Sequence, residues 1–258
     1  MNMRSMKSRI QTLLRECGEI MLTAADIDNA VHWKEGKGNI VTEYDSRVQA
    51  VLKKGLAQIL PEAAFVGEED GADQEDISAG YAFIVDPIDG TANFARGLQA
   101  SCISVALLKD GQPVFGMIYN PYLKECFWAI KGEGAYLNDK PIHVSDRPME
   151  KALILFGSSP YYPELARQTL VCLQRYLEQA MDIRRVGSAA LDLCSIACGR
   201  GELFFEMRLS PWDFAAGALL VEEAGGVVTG LKGEPILYDR KHAIVARAPH
   251  MPLLFGEV

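Results

Sequence analysis

Two carboxylates, a glycine and a hydroxyl stand close together in the segment Asp86-Pro-Ile-Asp-Gly-Thr91. This segment directly follows the apolar run 82–85, whose length and β-branched content predict a buried strand. Asp86 is therefore expected at the strand's carboxyl end, where open α/β sheets bind ligands. Pro87 fixes its own φ and favours an extended Asp86, so the strand should end there in a rigid turn. The segment predicts a site for a metal ion beside a phosphate, because backbone N–H groups at a helix start bind phosphate oxygens.

A plain turn is the alternative reading of the same segment, because Pro-x-Asp-Gly between apolar stretches is typical of loops that join strands. An EF-hand loop is excluded. Such a loop needs oxygen ligands at positions one, three and five with glycine at six, whereas the acids of this segment stand at its first and fourth positions.

Two further acidic positions favour the metal interpretation. Glu68 follows the apolar run 63–66, so it should lie just past a strand end. Asp213 falls in the first turn of a predicted helix, with Ser210 as N-cap and Pro211 at the first helical position. Taken singly, Glu68 fits a solvated loop charge, and Asp213 fits a helix-dipole interaction worth about 0.3–1 kcal/mol.

Three acidic motifs in this order resemble the inositol monophosphatase family of magnesium-dependent phosphomonoesterases. The motifs are Gly67-Glu-Glu69, Asp86-Pro-Ile-Asp-Gly-Thr-Ala-Asn-Phe94, and Trp212-Asp-Phe-Ala-Ala-Gly217 continuing to Gly226. Family-like segments also occur at 40–45, 132–135 and 187–190, so the resemblance covers nearly the whole chain. It implies an α/β fold, the layered α/β/α/β/α sandwich of sugar phosphatases. The whole chain, 1–258, would form one domain with two closely packed lobes, about 1–150 and 151–258.

The resemblance implies a set of magnesium ligands, residue by residue. Glu68, Asp86 and the carbonyl oxygen of Ile88 would bind one ion, while Asp86, Asp89 and Asp213 would bind a second. Glu68 would also reach a weaker third ion through water. Oxygen-only donors suit magnesium, a hard, octahedral cation. Two such ions can offset the charge of a phosphate monoester and activate the attacking water.

The resemblance also implies how the remaining catalytic groups act. Asp45 and the Thr91 hydroxyl would orient the attacking water. Glu68 would act in catalysis through the metal ions that it binds. The N–H groups of Gly90 and Thr91 would hold the phosphate. Thr42-x-x-Asp45 also fits a capping box at the start of a helix. Asp45 is therefore expected either to cap the helix and also act in catalysis, or to act in catalysis without capping the helix.

Substrate contacts are implied at two further places. Gly187, Ser188 and Ala189, at a predicted helix start, would offer backbone donors to a hydroxylated substrate, beside Asp89 and Asp213. Glu206 resembles the acid that accepts a hydrogen bond from an inositol hydroxyl; otherwise it reads as a charge at a strand end.

Other substrates remain open. Relatives that hydrolyse adenosine 3′,5′-bisphosphate or histidinol phosphate often carry lysine after the Asp-Gly-Thr triplet, where this chain has Ala92-Asn93, and this departure favours an inositol phosphate or related polyol phosphate. A fructose 1,6-bisphosphatase, a nucleotide 3′-phosphatase and a noncatalytic metal-dependent binding protein are the alternatives. Asn39 stands where relatives frequently have Asp, so the resemblance leaves the third ion open. It assigns no role to Lys34 or Lys37.

The elements that would position these residues follow from apolar periodicity. One helix face is formed by Ile10, Leu13, Leu14, Cys17, Ile20 and Met21, and a second by Val48, Val51, Leu52, Leu56 and Ile59. Strands are predicted at 101–108, 114–119, 126–130 and 135–137. After about residue 150, strands alternate with helices near 162–178, 188–198 and 211–224.

Composition fits a soluble globular protein: 258 residues with 49% hydrophobic and 23% charged residues. A net charge of −8 without a basic run argues against nucleic acid as a partner. The six cysteines form no C-x-x-C pair, so they are expected to be buried core thiols rather than zinc ligands or disulfides. No stretch approaches the ~20 apolar residues of a membrane helix, and a cytoplasmic location is expected. Lithium sensitivity and a homodimer are expectations of the resemblance.

Overall fold

The computed structural model describes residues 2–25, 27, 31–33, 40–70 and 77–256. Lys34, Lys37 and Asn39 lie outside the described residues. No helix within the described ranges is long and apolar enough to cross a membrane.

Six α-helices are found in the described part of the chain. They are α1 (Met3–Leu22), α2 (Glu43–Ile59), α3 (Thr91–Ala95), α4 (Ala166–Leu177), α5 (Ala189–Ala197) and α6 (Pro211–Glu223). Short 3₁₀ turns occur at Glu68–Asp70, Met149–Lys151 and Pro163–Leu165.

The strands form three sheets. The first nine are β1 (Val31–Trp33), β2 (Ile40–Thr42), β3 (Ala64–Gly67), β4 (Tyr81–Asp89), β5 (Cys102–Lys109), β6 (Gln112–Asn120), β7 (Glu125–Ile130), β8 (Ala135–Leu137) and β9 (Lys140–Ile142). The remaining five are β10 (Leu153–Phe156), β11 (Asp182–Arg184), β12 (Leu203–Leu209), β13 (Val227–Thr229) and β14 (His242–Arg247). β1 pairs with β2, β3 to β9 form a seven-stranded sheet in chain order, and the third sheet has the order β11-β10-β12-β14-β13.

Five layers follow from how the helices cover these sheets. α1 and α2 bury apolar residues such as Leu14 and Leu52 against one face of the seven-stranded sheet. α5 and α6 lie between the two large sheets, where Leu193 and Phe214 share one apolar core. α4 covers the outer face of the five-stranded sheet through residues such as Tyr176. The order helix, sheet, helix, sheet, helix confirms the predicted α/β/α/β/α sandwich.

Close packing of α5 on α6 depends on Gly217. A Cβ at this position would lie 2.5 Å from Cδ1 and 2.6 Å from Cβ of Leu193, well inside van der Waals contact. Because the two helices approach so closely, their amino-terminal ends reach the same pocket, which both line through Ala189 and Trp212.

The predicted end of the strand before Pro87 is wrong. β4 continues to Asp89, and its pairing with β5 changes register between Asp86 and Asp89. Proline has no N–H group to donate and is tolerated at such a bulge, so the strand bends instead of ending. Asp86 therefore lies inside β4 rather than at its carboxyl end.

Other boundaries differ less. The helix predicted near 162–178 begins only at Ala166, after a 3₁₀ turn that starts at Pro163. Glu206 lies inside β12, not at its end. The predicted burial of the cysteine thiols is confirmed for five of the six; Cys198 is partly exposed, and all six are free.

Candidate active site

Three carboxylates from two elements meet at the floor of one pocket. Asp86 and Asp89 come from β4 and Asp213 from the first turn of α6, and one oxygen of each lies within 4.8 Å of the others. Burial raises the pKa of Asp86 well above its usual value, and the charges of Glu68, Asp89 and Asp213 add to that rise. A buried group of oxygen donors that repel one another fits a hard cation such as magnesium.

Local hydrogen bonds fix two of these carboxylates. Asp86 Oδ1 accepts from the backbone N–H of Ile88 at 3.0 Å, across the bulge. Asp213 Oδ2 accepts from the N–H of Ser210 at 2.7 Å and completes the capping box of α6. Asp213 therefore caps its own helix while its carboxylate stays in the cluster.

Glu68 reaches the same pocket from the 3₁₀ turn that follows β3. The side chain of Gln49 on α2 holds this turn, because its Oε1 accepts from the N–H of Glu69 at 3.0 Å. A Cβ at Gly67 would lie 2.4 Å from that Oε1, so only glycine leaves room for the contact. The sequence offered no signal for this role of Gln49.

Asp89 is held by the amino-terminal end of α5. Its Oδ2 accepts from Ser188 Oγ at 2.5 Å and from the N–H of Ala190 at 2.7 Å. Burial raises the pKa of Asp89, and these two hydrogen bonds oppose the rise. The hydroxyl of Ser188 therefore contacts Asp89, whereas the predicted donor to substrate is the backbone of this residue.

Asp45 and Thr91 are hydrogen-bonded to each other. Thr91 Oγ1 lies 3.0 Å from Asp45 Oδ1 and 3.0 Å from the carbonyl oxygen of Ile88. The other oxygen of Asp45 accepts from the N–H of Thr42 at 2.8 Å and from its hydroxyl at 2.6 Å. Capping and contact with Thr91 therefore coexist in Asp45, whose pKa is raised chiefly by burial.

Gly90 has a conformation and surroundings that exclude a side chain. Its φ is +88°, in the left-handed region that favours glycine. A Cβ there would also lie 3.0 Å from the carbonyl oxygen of Ala100 and 3.2 Å from that of Gly187. Gly90 therefore lets β4 turn directly into α3 at Thr91.

Glu206 lies in the wall of the pocket and is buried. Its Oε1 accepts from the N–H of Ser159 at 2.7 Å. Burial raises the pKa of Glu206 to about 7, against the opposing effect of this hydrogen bond. A Cβ at Gly157 would lie 1.8 Å from Oε2, so the glycine provides the space that the carboxylate fills.

The structure brings the predicted site residues together in a pocket of about 500 Å³. Those that line it are Glu68, Asp86, Ile88, Asp89, Gly90, Thr91, Gly187, Ser188, Ala189, Glu206 and Asp213. Asp45 joins them through its hydrogen bond to Thr91. Their individual catalytic and binding roles stay predictions.

Sequence reasoning missed several other lining residues. Asp192 is 1% exposed, and its Oδ1 has no hydrogen-bond partner among the described residues. Arg185, Arg208 and Lys241 add positive charge to the pocket, beside Tyr162. None belongs to a recognisable motif, and only folding brings them near the acidic floor.

A layered α/β/α/β/α sandwich with an acidic oxygen cluster beside a helix start defines a metal-dependent phosphomonoesterase. Comparison with known proteins gives the family. The model of the inositol monophosphatase family matches residues 2–256. The chain belongs to this family.

Individual relatives agree with that assignment. A protein of Xylella fastidiosa named Nus factor SuhB is 37% identical over 221 residues, covering 85% of this chain and 79% of the relative. Inositol monophosphatase 1 of Solanum lycopersicum is 35% identical over 249 residues, covering 94% of this chain and 90% of the relative. The crystal structure of extragenic suppressor protein suhB from Bartonella henselae matches with a TM-score of 0.85 at 32% identity, covering 95% of each chain.

Members of the inositol monophosphatase family are phosphoric monoester hydrolases that act on phosphorylated substrates. Magnesium dependence and lithium sensitivity are typical of the family. The chain is therefore a phosphatase of this family.

Proposed function

We propose that the chain hydrolyses inositol monophosphate or a related polyol or sugar phosphate to the alcohol and inorganic phosphate, with magnesium as cofactor. The observation that carries this proposal is the contact between Thr91 and Asp45 directly beside the carboxylate cluster. A cluster that served only to bind a cation would not need this pair.

Two magnesium ions fit the donors of the pocket. Glu68, Asp86 and the carbonyl oxygen of Ile88 would hold the first, and Asp86, Asp89 and Asp213 the second, with a third ion reached from Glu68 through water. When bound, magnesium neutralises phosphate charge and lowers the pKa of water. The buried, mutually repelling carboxylates support this assignment, since each cation offsets charge that burial makes costly.

The residues of the chain would position the reactants. The hydroxyl of Thr91, held by Asp45, would orient the water that attacks phosphorus. Backbone N–H groups of Gly90 and Thr91, where β4 turns into α3, would hold the phosphate oxygens. The new bond joins the water oxygen to phosphorus, the ester P–O bond breaks, and the proton passes to the departing alcohol.

A hydroxylated leaving group fits the wall opposite the floor. The Oε1 of Glu206 accepts from Ser159, and the carboxylate lines the pocket, where its other oxygen would accept a hydrogen bond from a substrate hydroxyl. A site built to bond a hydroxyl discriminates strongly against substrates that lack it. Fructose 1,6-bisphosphate and nucleotide 3′-phosphates should be assayed beside inositol monophosphate as alternative substrates.

The homodimer that we expect can be tested by light scattering.

The experiment is turnover of inositol 1-phosphate by the wild type and by Asp89→Asn at saturating magnesium. We expect turnover to fall by at least about 10²-fold, because loss of a metal ligand should reduce activity more than loss of a group that only orients a ligand. Asp146→Asn is the matched control, since Asp146 is exposed and lies outside the pocket. Wild-type turnover by Asp89→Asn would refute the assignment, and an inactive wild type across the panel would favour a noncatalytic binding protein.

A further inference from the structure

Tyr161 presents a large aromatic ring to the acidic pocket. It lines the pocket, yet 49% of its surface is exposed. Its side chain makes no hydrogen bond and no ring contact with the residues that the structure describes. Leaving an aromatic face in water is unfavourable, and packing of the fold does not use this face. The ring is therefore available to a ligand.

A β-turn carries Tyr161, and the first residue of this turn is buried. The N–H of Tyr162 donates to the carbonyl oxygen of Ser159 at 2.9 Å, which places Pro160 and Tyr161 at the two central positions. Proline presets the backbone at the first of these positions. Ser159 is 2% exposed, and its N–H donates to Glu206 Oε1 at 2.7 Å. The start of the turn is thus fixed to β12.

Two cations hold the last residue of the same turn. The guanidinium carbon of Arg208 lies 4.5 Å from the ring centre of Tyr162, in a cation–π contact. Lys241 Nζ donates to the hydroxyl of Tyr162 at 2.9 Å. The turn is therefore held at both ends, while Tyr161 between them makes no such contact. A ligand that meets this residue does not have to order its backbone, which reduces the cost of binding.

The hydroxyl end of Tyr161 lies near the carboxylate floor of the pocket. Burial, followed by the charges of Glu68 and Asp213, raises the pKa of this hydroxyl. Both carboxylates line the same pocket and are proposed ligands of magnesium, beside which the phosphate would bind. The ring of Tyr161 is therefore placed beside the group that carries the ester oxygen. A nucleobase does not fit this position, because a ribose separates it from the ester.

We propose that Tyr161 is a specificity-determining residue, whose ring stacks on the C–H-bearing face of a cyclic polyol or sugar phosphate and selects it over acyclic phosphate esters. The proposal rests on the proposed function, because the phosphate must bind at the carboxylate floor. A ring with equatorial hydroxyls exposes C–H groups on its faces, and each contact with a flat aromatic surface adds dispersion energy. Glu206 would bind a hydroxyl of the same ring, so the two residues would recognise different parts of one leaving group.

Two other roles of Tyr161 would also affect activity. Its hydroxyl could donate a hydrogen bond to the substrate, or its ring could exclude water from the pocket. Tyr161→Phe separates the first role from stacking, because it removes the hydroxyl and keeps the ring. An acyclic substrate separates the second role, because exclusion of water would favour turnover of cyclic and acyclic esters equally.

The experiment compares myo-inositol 1-phosphate with glycerol 2-phosphate, since both are esters of a secondary alcohol with neighbouring hydroxylated carbons and only the first has a ring. We expect Tyr161→Ala to lower kcat/KM for inositol 1-phosphate by about fivefold or more, the low end of the loss when an aromatic stacking partner is removed. The loss should appear mainly in KM, and kcat/KM for glycerol 2-phosphate should change little. Tyr161→Phe should keep the wild-type ratio of the two substrates.

Leu237→Ala is the matched control, because Leu237 is 43% exposed and does not line this pocket. It should keep the wild-type ratio, and thermal unfolding checks that every variant is folded. An unchanged ratio in Tyr161→Ala, or equal losses for both substrates, would overturn the proposal. A ratio that falls in Tyr161→Phe as far as in Tyr161→Ala would assign the effect to the hydroxyl and would also overturn it. Failure of the proposed function looks different, because the wild type would then hydrolyse neither substrate, and the stacking role would fall with it.

Discussion

Thr91 has one hydroxyl proton and two acceptors at the same distance, Asp45 Oδ1 and the carbonyl oxygen of Ile88. When the proton points to one acceptor, the lone pairs of the hydroxyl are directed elsewhere. Because Ile88 is also a proposed magnesium ligand, the hydroxyl connects the water-positioning pair to the metal site. Asp45 fixes this geometry, since its second oxygen is fully engaged by Thr42.

Thr91→Ala should therefore lower kcat by about 10²–10⁴-fold, the usual range for a positioned proton-transfer group. Asp45→Asn should cause a similar loss, and the double variant should be much less than multiplicatively worse if the two act as one unit. Magnesium titration of steady-state activity provides the measurement, because the metal ligands are unchanged. Thr91→Ser is the matched control and should restore most of kcat.

Fully multiplicative losses in the double variant would show that Thr91 and Asp45 act separately. A defect of Thr91→Ala that more magnesium repairs would instead place the hydroxyl in metal binding through Ile88.

Elements differ in how far the sequence predicts them. The capping box at Thr42 and the N-cap at Ser210 depend on residues close in sequence, so local sequence is sufficient, and the structure confirms both. Local sequence predicts a strand end before Pro87, where the structure has a bulge. Whether the strand ends or continues depends on whether β5 pairs with the residues after Pro87. Local sequence does not contain that partner.

Contacts between residues far apart in the chain are the features of the site that local sequence patterns could not predict. Ser159 holds Glu206 from a loop 47 residues away, and Tyr162 meets Lys241 across 79 residues. Neither loop residue belongs to a motif, since each role consists of one contact made after folding. The carboxylates of the cluster were predictable, because the chain contains several acid-bearing segments whose order resembles a known family.

Asp192 on α5 is a buried acid whose ionisation should affect the stability of the fold. Asp192 is 1% exposed, and its Oδ1 has no hydrogen-bond partner within the described ranges. Burial, followed by the charges of Asp89 and Glu206, raises its pKa well above the usual value. A raised pKa means that the folded state holds a proton which the unfolded state releases, so stability is lost as pH rises above the unfolded value.

Asp192→Asn should therefore stabilise the metal-free protein at neutral pH by at least about 1.4 kcal/mol, the free energy of one unit of pKa shift, because an amide stays neutral in both states. The gain should shrink as pH falls through about 4, because the wild-type carboxyl then becomes protonated in the unfolded state as well. Urea unfolding in a chelator at several pH values measures this difference. Asp146→Asn, at an exposed site, should show no such trend, and a gain for Asp192→Asn that is independent of pH would contradict the explanation.

At the scale of the molecule, the carboxylate cluster lies where two adjacent layers of the sandwich meet. Asp86 and Asp89 belong to a strand of the seven-stranded sheet, whereas Asp213 starts α6, which lies between the two large sheets. Repulsion within the cluster therefore acts between the seven-stranded sheet and the central helix layer. A cation bound there would bring together elements that are far apart in the chain.

Magnesium should consequently stabilise the whole fold, and more strongly as pH rises. Burial raises the pKa values of Asp86, Asp89 and Asp213, and repulsion adds to the rise for Asp86 and Asp213. The metal-free protein therefore loses stability as pH rises from about 4 towards neutrality. Magnesium binds the ionised carboxylates and reverses this loss. At about 100 times the dissociation constant the gain is about 2.7 kcal/mol, or roughly 5–10 °C in Tm for a chain of this size.

Thermal unfolding with magnesium or with a chelator, at about pH 5 and about pH 7.5, tests this expectation. Asp86→Asn keeps an oxygen that can accept from the N–H of Ile88 but removes a charge that neighbouring carboxylates repel. This variant should melt higher than the wild type in chelator at the higher pH and should gain less from magnesium, whereas Asp146→Asn should behave as the wild type. If magnesium raised Tm equally at both pH values, or equally in Asp86→Asn, the cluster would not be the site through which the cation stabilises the sandwich.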